Sequence, residues 1–362
     1  MKKIVRILFY NFCILLILLT IIELIFGGWI KSSNNLNNIG VIRDRKFKHL
    51  VQDLYPDSTG VAFYTRDKYG FRGISTFNAP DKIDVLTIGG STTDQLYIDD
   101  SKTWQRVLEN NFKNNGKSYT IANAGLDGQS TRGHIKCFEF WFPEVRNLHP
   151  KYFIFYIGIN DIYSVADNSS HDKVDVKHKN NFENFKSTLK NNSAISNLVR
   201  KLIGMIRAKR LDVYHKKIDF KNVSFTENGL ADDKLFETFK KENLAAFKKR
   251  LQTLISYTRK YGGEIIFVTQ PSSKYKFIKN KLWGISEVSE LQGFPYNGVD
   301  YYYLLSELNK VIYEVAGDEF IVVELTSLPI WEKDDFYDWF HMTPKGARKV
   351  GDEIYNQLKN RL

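Results

Sequence analysis

Three short apolar runs, Ile83–Ile88, Tyr119–Ala122 and Tyr152–Ile157, each stop abruptly at glycine or asparagine. Short apolar runs bounded by turn residues read as strands buried on both faces. Helical spacing fills the gaps between them. Trp104, Val107, Leu108 and Phe112 mark one helix, and His134–Trp141 a second. Strand, helix, strand, helix, strand restricts the chain to a parallel sheet wrapped by helices. Two later runs, Glu264–Thr269 and Phe320–Leu325, bring the strand count to five. A long helix over Ala231–Tyr261 stops at Gly262-Gly263, and a helix near Tyr301–Val315 precedes the fifth strand. Thr343-Pro344 opens the C-terminal helix as an N-cap followed by proline in the first turn.

The N-terminus is of another kind. Ile7 to Phe26 is almost wholly apolar, broken by Asn11, Thr20 and Glu23. Twenty helical residues span about 30 Å, the hydrocarbon thickness of a bilayer. Lys2, Lys3 and Arg6 precede the run, which places the N-terminus in the cytoplasm and the remainder outside. Trp29 stands where an interfacial aromatic belongs. The run is too long for a signal-peptide core, and no small-x-small cleavage site follows it. The expected division is a cytoplasmic stub and transmembrane anchor over 1–29, a lead-in over 30–80, and a catalytic domain over 81–362. The lead-in is polar and irregular apart from Tyr69-Gly70-Phe71-Arg72-Gly73. Between about 162 and 230 charge rises and β-type runs are few, which reads as a partly helical insertion.

A formal charge of +11 favours anionic partners in general. No nucleic-acid motif accompanies it, so a solvated basic face is expected and no nucleic-acid partner. Cys13 lies inside the apolar run, which makes a disulfide with Cys137 implausible. No metal-ligand spacing, Gly-x-Gly-x-x-Gly or P-loop occurs, so neither metal nor cofactor is expected.

In open parallel sheets, ligands bind outside the carboxyl ends of the strands. The first strand end carries Gly89-Gly90-Ser91-Thr92-Thr93, and the second Asn123-Ala124-Gly125-Leu126-Asp127-Gly128. The third carries Gly158-Ile159-Asn160-Asp161, and Asp338-Trp339-Phe340-His341 precedes the final helix. Ester hydrolysis needs a nucleophile, a base and donors for the oxyanion. Ser91 follows two glycines, so its backbone can turn sharply and present the hydroxyl at a helix N-terminus. His341 suits the base and Asp338 its orienting carboxylate. Gly128 leaves its N–H open to close approach, and Asn160 offers a side-chain amide. Each signal alone is weak: Gly-Gly-Ser is usually a turn, a lone histidine is usually structural, and Asn160-Asp161 alone could cap a helix. Their order and their positions at strand ends make the set specific.

These residues resemble the SGNH hydrolase superfamily, the GDSL esterases and lipases. The block serine is similar to Ser91, the block glycine to Gly128, and Gly-x-Asn-Asp to Gly158–Asp161. Asp-x-x-His is similar to Asp338–His341. The resemblance implies a flavodoxin-like three-layer α/β/α sandwich with a five-stranded parallel sheet, here preceded by a transmembrane helix. It also implies an oxyanion hole from the N–H groups of Ser91 and Gly128 and the side chain of Asn160. The family needs no cofactor. Gly-Gly-Ser-Thr replaces Gly-Asp-Ser-Leu, and the segment of about 70 residues after Asp161 has no family counterpart. A single N-terminal span, a Tyr-Gly-Phe-Arg lead-in and this serine block look like bacterial envelope SGNH proteins. The implied function is hydrolysis of small acyl, chiefly O-acetyl, esters of an envelope glycan, outside the cytoplasm. Two alternatives stay open: O-acyltransfer to a surface polysaccharide with the same triad, and a non-catalytic anchored glycan-binding protein.

Overall fold

The computed structural model describes residues 2–26, 36, 39–57, 59–73, 79–164, 193–195, 198 and 215–362. Trp29 and most of the insertion expected at 162–230 lie outside the described residues. The chain divides into two units, Met1–Asn38 with Val174–Tyr214, and Ile39–Lys173 with His215–Leu362. In the first, α1 (Lys2–Phe26) carries a 24-residue stretch, Lys3–Phe26, long and apolar enough to cross a membrane. Its one acidic residue, Glu23, accepts hydrogen bonds from Ser193 Oγ at 2.7 Å and from the N–H groups of Ala194 and Ile195 at 3.0 and 3.1 Å. Such donors offset part of the cost of placing a carboxylate in an apolar helix.

The second unit begins with a departure from expectation. The lead-in is not irregular: β1 (Arg45–Leu50) and β2 (Val61–Arg66) form an antiparallel hairpin. β1 is mostly exposed, so no apolar alternation betrays it. Tyr69–Gly73 then turns the chain inward. Phe71 is fully buried against Trp141, with ring centroids 5.3 Å apart. Arg72 is buried too, donating to the carbonyls of Asp94 and Ile98 while its backbone N–H meets Asn123 O at 2.8 Å. Arg66 donates to Asp94 Oδ1 and Gly125 O, both at 2.6 Å. Both guanidinium groups therefore bind backbone at the first two strand ends, which is what makes their burial affordable.

The core is a five-stranded sheet of β3 (Val85–Gly89), β4 (Ile121–Asn123), β5 (Tyr152–Tyr156), β7 (Glu264–Val268) and β12 (Ile321–Val323). All four pairings are parallel, in the order β12-β7-β5-β3-β4. Numbered within the sheet this is 2-1-3-4-5, the flavodoxin-like order, whose switch point lies between β3 and β5. The strands alternate their side chains between two helical layers. Ile154 and Tyr156 join Trp104, Leu108, Phe112, Val350 and Ile354, which come from α3 (Trp104–Asn114) and the C-terminal helix α8 (Pro344–Leu358). Phe153 and Phe155 face the other way, against Phe138, which follows α4 (Thr131–Lys136). Phe138 in turn stacks on Tyr257 of α6 (Ala245–Tyr261), the longer part of a helical stretch that begins with α5 (Asp233–Phe239). Gly262 ends it in the left-handed conformation at φ +75°.

Small antiparallel elements form separate sheets outside the main one. β6 (Phe225–Thr226) and β8 (Tyr275–Ile278) flank β9 (Lys281–Ile285), and β10 (Ser289–Leu291) pairs with β11 (Phe294–Tyr296). α7 (Gly298–Ala316) follows, opened by an Asn297–Asp300 capping box.

Candidate active site

β3 ends at Gly89 opposite Tyr156 of β5, so the turns that leave these strands flank the switch point. Gly90 caps α2 (Ser91–Asp94), a single turn that puts the half-buried Ser91 at its start. No side chain fits at position 90. A Cβ there would stand 2.5 Å from Asn160 Nδ2 and 2.8 Å from Gln129 O. The glycine thus lets three segments meet: the Ser91 turn, the loop of Gly128-Gln129, and the turn of Asn160. Gly128 holds φ +71°, a left-handed geometry that favours glycine and swings this loop around the site.

Asn160 Nδ2 donates to Gln129 O at 2.8 Å, which fixes the plane of its amide. The turn that carries Asn160 is clamped as well. Gln270, just after β7, accepts from Ile159 N at 2.8 Å and donates to Thr92 Oγ1 at 2.7 Å. One buried amide therefore ties the Asn160 turn to the Ser91 turn. Asp161 points away from the rim into the helical layer, where it accepts from Thr131 and Arg250.

Asp338 and His341 lie on one tight loop. His341 Nδ1 is 2.7 Å from Asp338 Oδ2 and 2.9 Å from Oδ1. Oδ1 also accepts the backbone N–H groups of Phe340 at 2.9 Å and His341 at 2.7 Å. Burial alone would raise the Asp338 carboxyl. The hydrogen bond and charge of the His341 ring, with the two N–H groups, outweigh it and hold the group below its ordinary value. An ionised Asp338 selects the tautomer in which Nδ1 carries the proton, leaving a lone pair on Nε2. The loop is pinned to the segment after β7: Ser273 N and Ser272 Oγ donate to Trp339 O at 3.0 and 2.8 Å, and Ser273 Oγ to Asp338 O at 2.9 Å. His341 Nε2 is buried and has no hydrogen-bond partner among the described residues, Ser91 included. Such contacts commonly close only when substrate is bound.

Three neighbours of this loop were not singled out from the sequence. His215 lies over His341 with ring centroids 4.1 Å apart, and its Nδ1 is 2.7 Å from Tyr337 Oη. Burial, then the charge of His341, push the His215 imidazole down to about 3, against Asp338, so it is neutral at ordinary pH. Asp127 Oδ1 is 3.9 Å from His215 Nε2. No sequence signal joins these three: His215 falls within the insertion expected at 162–230, 88 residues after Asp127 in the numbering. Gln270 could have been suspected only from its position at a strand end.

A family model described as GDSL-like lipase/acylhydrolase matches residues 85–354. The chain belongs to that family. As a GDSL-like acylhydrolase it is a serine ester hydrolase, and the parallel five-stranded sheet is the fold of such enzymes. No curated protein is a detectable sequence relative of it. Among solved structures it is similar to TesA, at 13% identity and TM-score 0.41, covering 77% of this chain and 99% of that one. A lipase/acylhydrolase from Enterococcus faecalis has 14% identity and TM-score 0.41, covering 77% and 97%. The acetyl xylan esterase AlAXEase has 12% identity and TM-score 0.41, covering 76% and 98%.

Proposed function

We propose that Ser91 is the nucleophile of this GDSL-like enzyme, with His341 as general base and Asp338 as the carboxylate that orients it. The observation that carries this reading is the Asp338–His341 pair, whose buried Nε2 has a lone pair to offer and no hydrogen-bond partner among the described residues. In the reaction Nε2 takes the Ser91 proton as Oγ attacks the ester carbonyl. The tetrahedral oxyanion is stabilised by the N–H groups of Ser91 and Gly128 and the amide of Asn160. Collapse expels the alcohol, which receives the proton from His341, and leaves an acyl-serine for water to cleave.

The substrate class is a small acyl ester, chiefly O-acetyl, of a cell-envelope glycan. The apolar helix α1 behind Lys2, Lys3 and Arg6 supports a single-pass anchor with the catalytic unit outside the cytoplasm. The test uses the full-length chain in detergent with p-nitrophenyl acetate and a fluorophosphonate probe. Covalent labelling and hydrolysis are both expected, and both are lost in Ser91→Ala while the unfolding transition is kept. Labelling that persists in Ser91→Ala removes Ser91 as the nucleophile. Turnover that is negligible without an acceptor glycan and rises sharply with one replaces hydrolysis by acyl transfer.

A further inference from the structure

We infer that Asp127, His215 and His341 form a zinc site that switches the enzyme off by capturing its base. One donor atom from each of the three lies within 4.8 Å of the other two. Donors around a tetrahedral zinc ion stand about 3.3 Å apart, given bonds of about 2.0 Å, so side-chain shifts of roughly 1 Å close the set.

The surroundings of the two imidazoles are those of metal ligands. In each ring Nδ1 is already engaged, by Asp338 in His341 and by Tyr337 Oη in His215. Metal-bound histidines characteristically have the second nitrogen held in this way, which orients the ring and raises its basicity. Nε2 is then the free donor on both. In His341 it is buried without a hydrogen-bond partner among the described residues, and in His215 it stands 3.9 Å from Asp127 Oδ1. Asp127 is exposed, so the third ligand can adjust and the ion can enter from solvent. Two imidazoles and one carboxylate suit a borderline cation such as Zn²⁺ and not Mg²⁺ or Ca²⁺, which favour all-oxygen shells.

The consequence rests on the reading of His341 as base. A metal ion on Nε2 occupies the lone pair that accepts the Ser91 proton, so zinc-loaded enzyme is inactive and chelation restores it. The binding itself needs neither Ser91 nor catalysis.

The experiment uses full-length chain in detergent, stripped of metal and titrated with ZnCl2 or MgCl2. Binding is read by calorimetry and activity by p-nitrophenyl acetate hydrolysis. One zinc per chain should bind, magnesium should not, and saturating zinc should cut hydrolysis at least tenfold in a way EDTA reverses. His215→Gln and Asp127→Asn should each weaken zinc binding at least tenfold, and Ser91→Ala should bind zinc like the unaltered chain. Absence of zinc binding, or unchanged affinity in both ligand variants, overturns the site. Zinc-bound enzyme with undiminished or increased hydrolysis overturns the switch. A chain that binds zinc through these residues but shows no serine-dependent hydrolysis supports the site and overturns the catalytic assignment instead.

Discussion

On the β3–β5 side of the rim Asn160 and Gln270 are tied down by Gln129, Ile159 and Thr92, whereas on the C-terminal loop His341 Nε2 has no hydrogen-bond partner among the described residues. The difference follows from what each side is proposed to do. Donors for an oxyanion stabilise it most when they need no rearrangement as charge develops. A base must exchange its proton between serine and leaving group, so one nitrogen has to stay uncommitted. The same loop nonetheless locks the other nitrogen, through Asp338 and two backbone N–H groups. Rigidity is thus placed on one side of the imidazole and availability on the other.

The comparison breaks most sharply at the base. His341→Ala should lower kcat for p-nitrophenyl acetate by about 10⁴–10⁶-fold, since members of a catalytic unit fail together. A drop of less than tenfold would show that Nε2 does not move the proton. Asn160→Ala should cost about 10²–10³ in kcat with a smaller change in KM, as expected for a donor used mainly in the transition state. A rate within threefold of the unaltered enzyme removes Asn160 from the oxyanion hole. Gly90→Ala tests the pre-set side without touching a donor. Its Cβ would press on Asn160 Nδ2 from 2.5 Å and displace it by roughly 1 Å, a misplacement that costs up to about 10²-fold. Full activity in that variant would mean the cradle tolerates movement.

The smallest effect concerns a buried histidine away from the rim. His134 in α4 is buried, its Nδ1 has no hydrogen-bond partner among the described residues, and burial pushes its imidazole down to about 3. In the unfolded chain it titrates near 6.5, so below that pH the unfolded state binds the extra proton. The stability from a neutral buried His134 is therefore complete above about pH 6.5 and is lost as pH falls toward 3. The urea midpoint should drop between pH 7 and pH 5, and His134→Gln should flatten that dependence. An equal slope in both proteins would place the acid sensitivity elsewhere.

The central strands and the residues at their ends were readable because a parallel strand buried on both faces is a continuous apolar run that must stop at a turn. The hairpins were not. β8 and β9 are joined by Lys279-Asn280 at φ +49° and +63°, and β10 and β11 by Gln292-Gly293 at φ +55° and +83°. Both residues of each turn adopt the left-handed geometry of a two-residue hairpin loop, but neither pair is the Asn-Gly or Asp-Gly that announces one. The Tyr69-Gly70-Phe71-Arg72-Gly73 run carries no local signal of where its side chains go. In the fold Phe71 is core, and Arg72 fastens the lead-in beneath the Ser91 turn through Asp94 O.

Local sequence by itself determined the five strands, their α/β layering, the apolar N-terminal helix and the candidates Ser91, Gly128, Asn160, Asp338 and His341. Each of these is written in a run of neighbours: an apolar period, a glycine pair, a carboxylate three residues before a histidine. Only the tertiary structure decided that Gln270 bridges Thr92 and Ile159, that Arg66 and Arg72 hold Asp94, and that Asp127 and His215 gather at His341. Those contacts join residues far apart in the chain, and their energies depend on distance and burial, which no local pattern of residue types encodes.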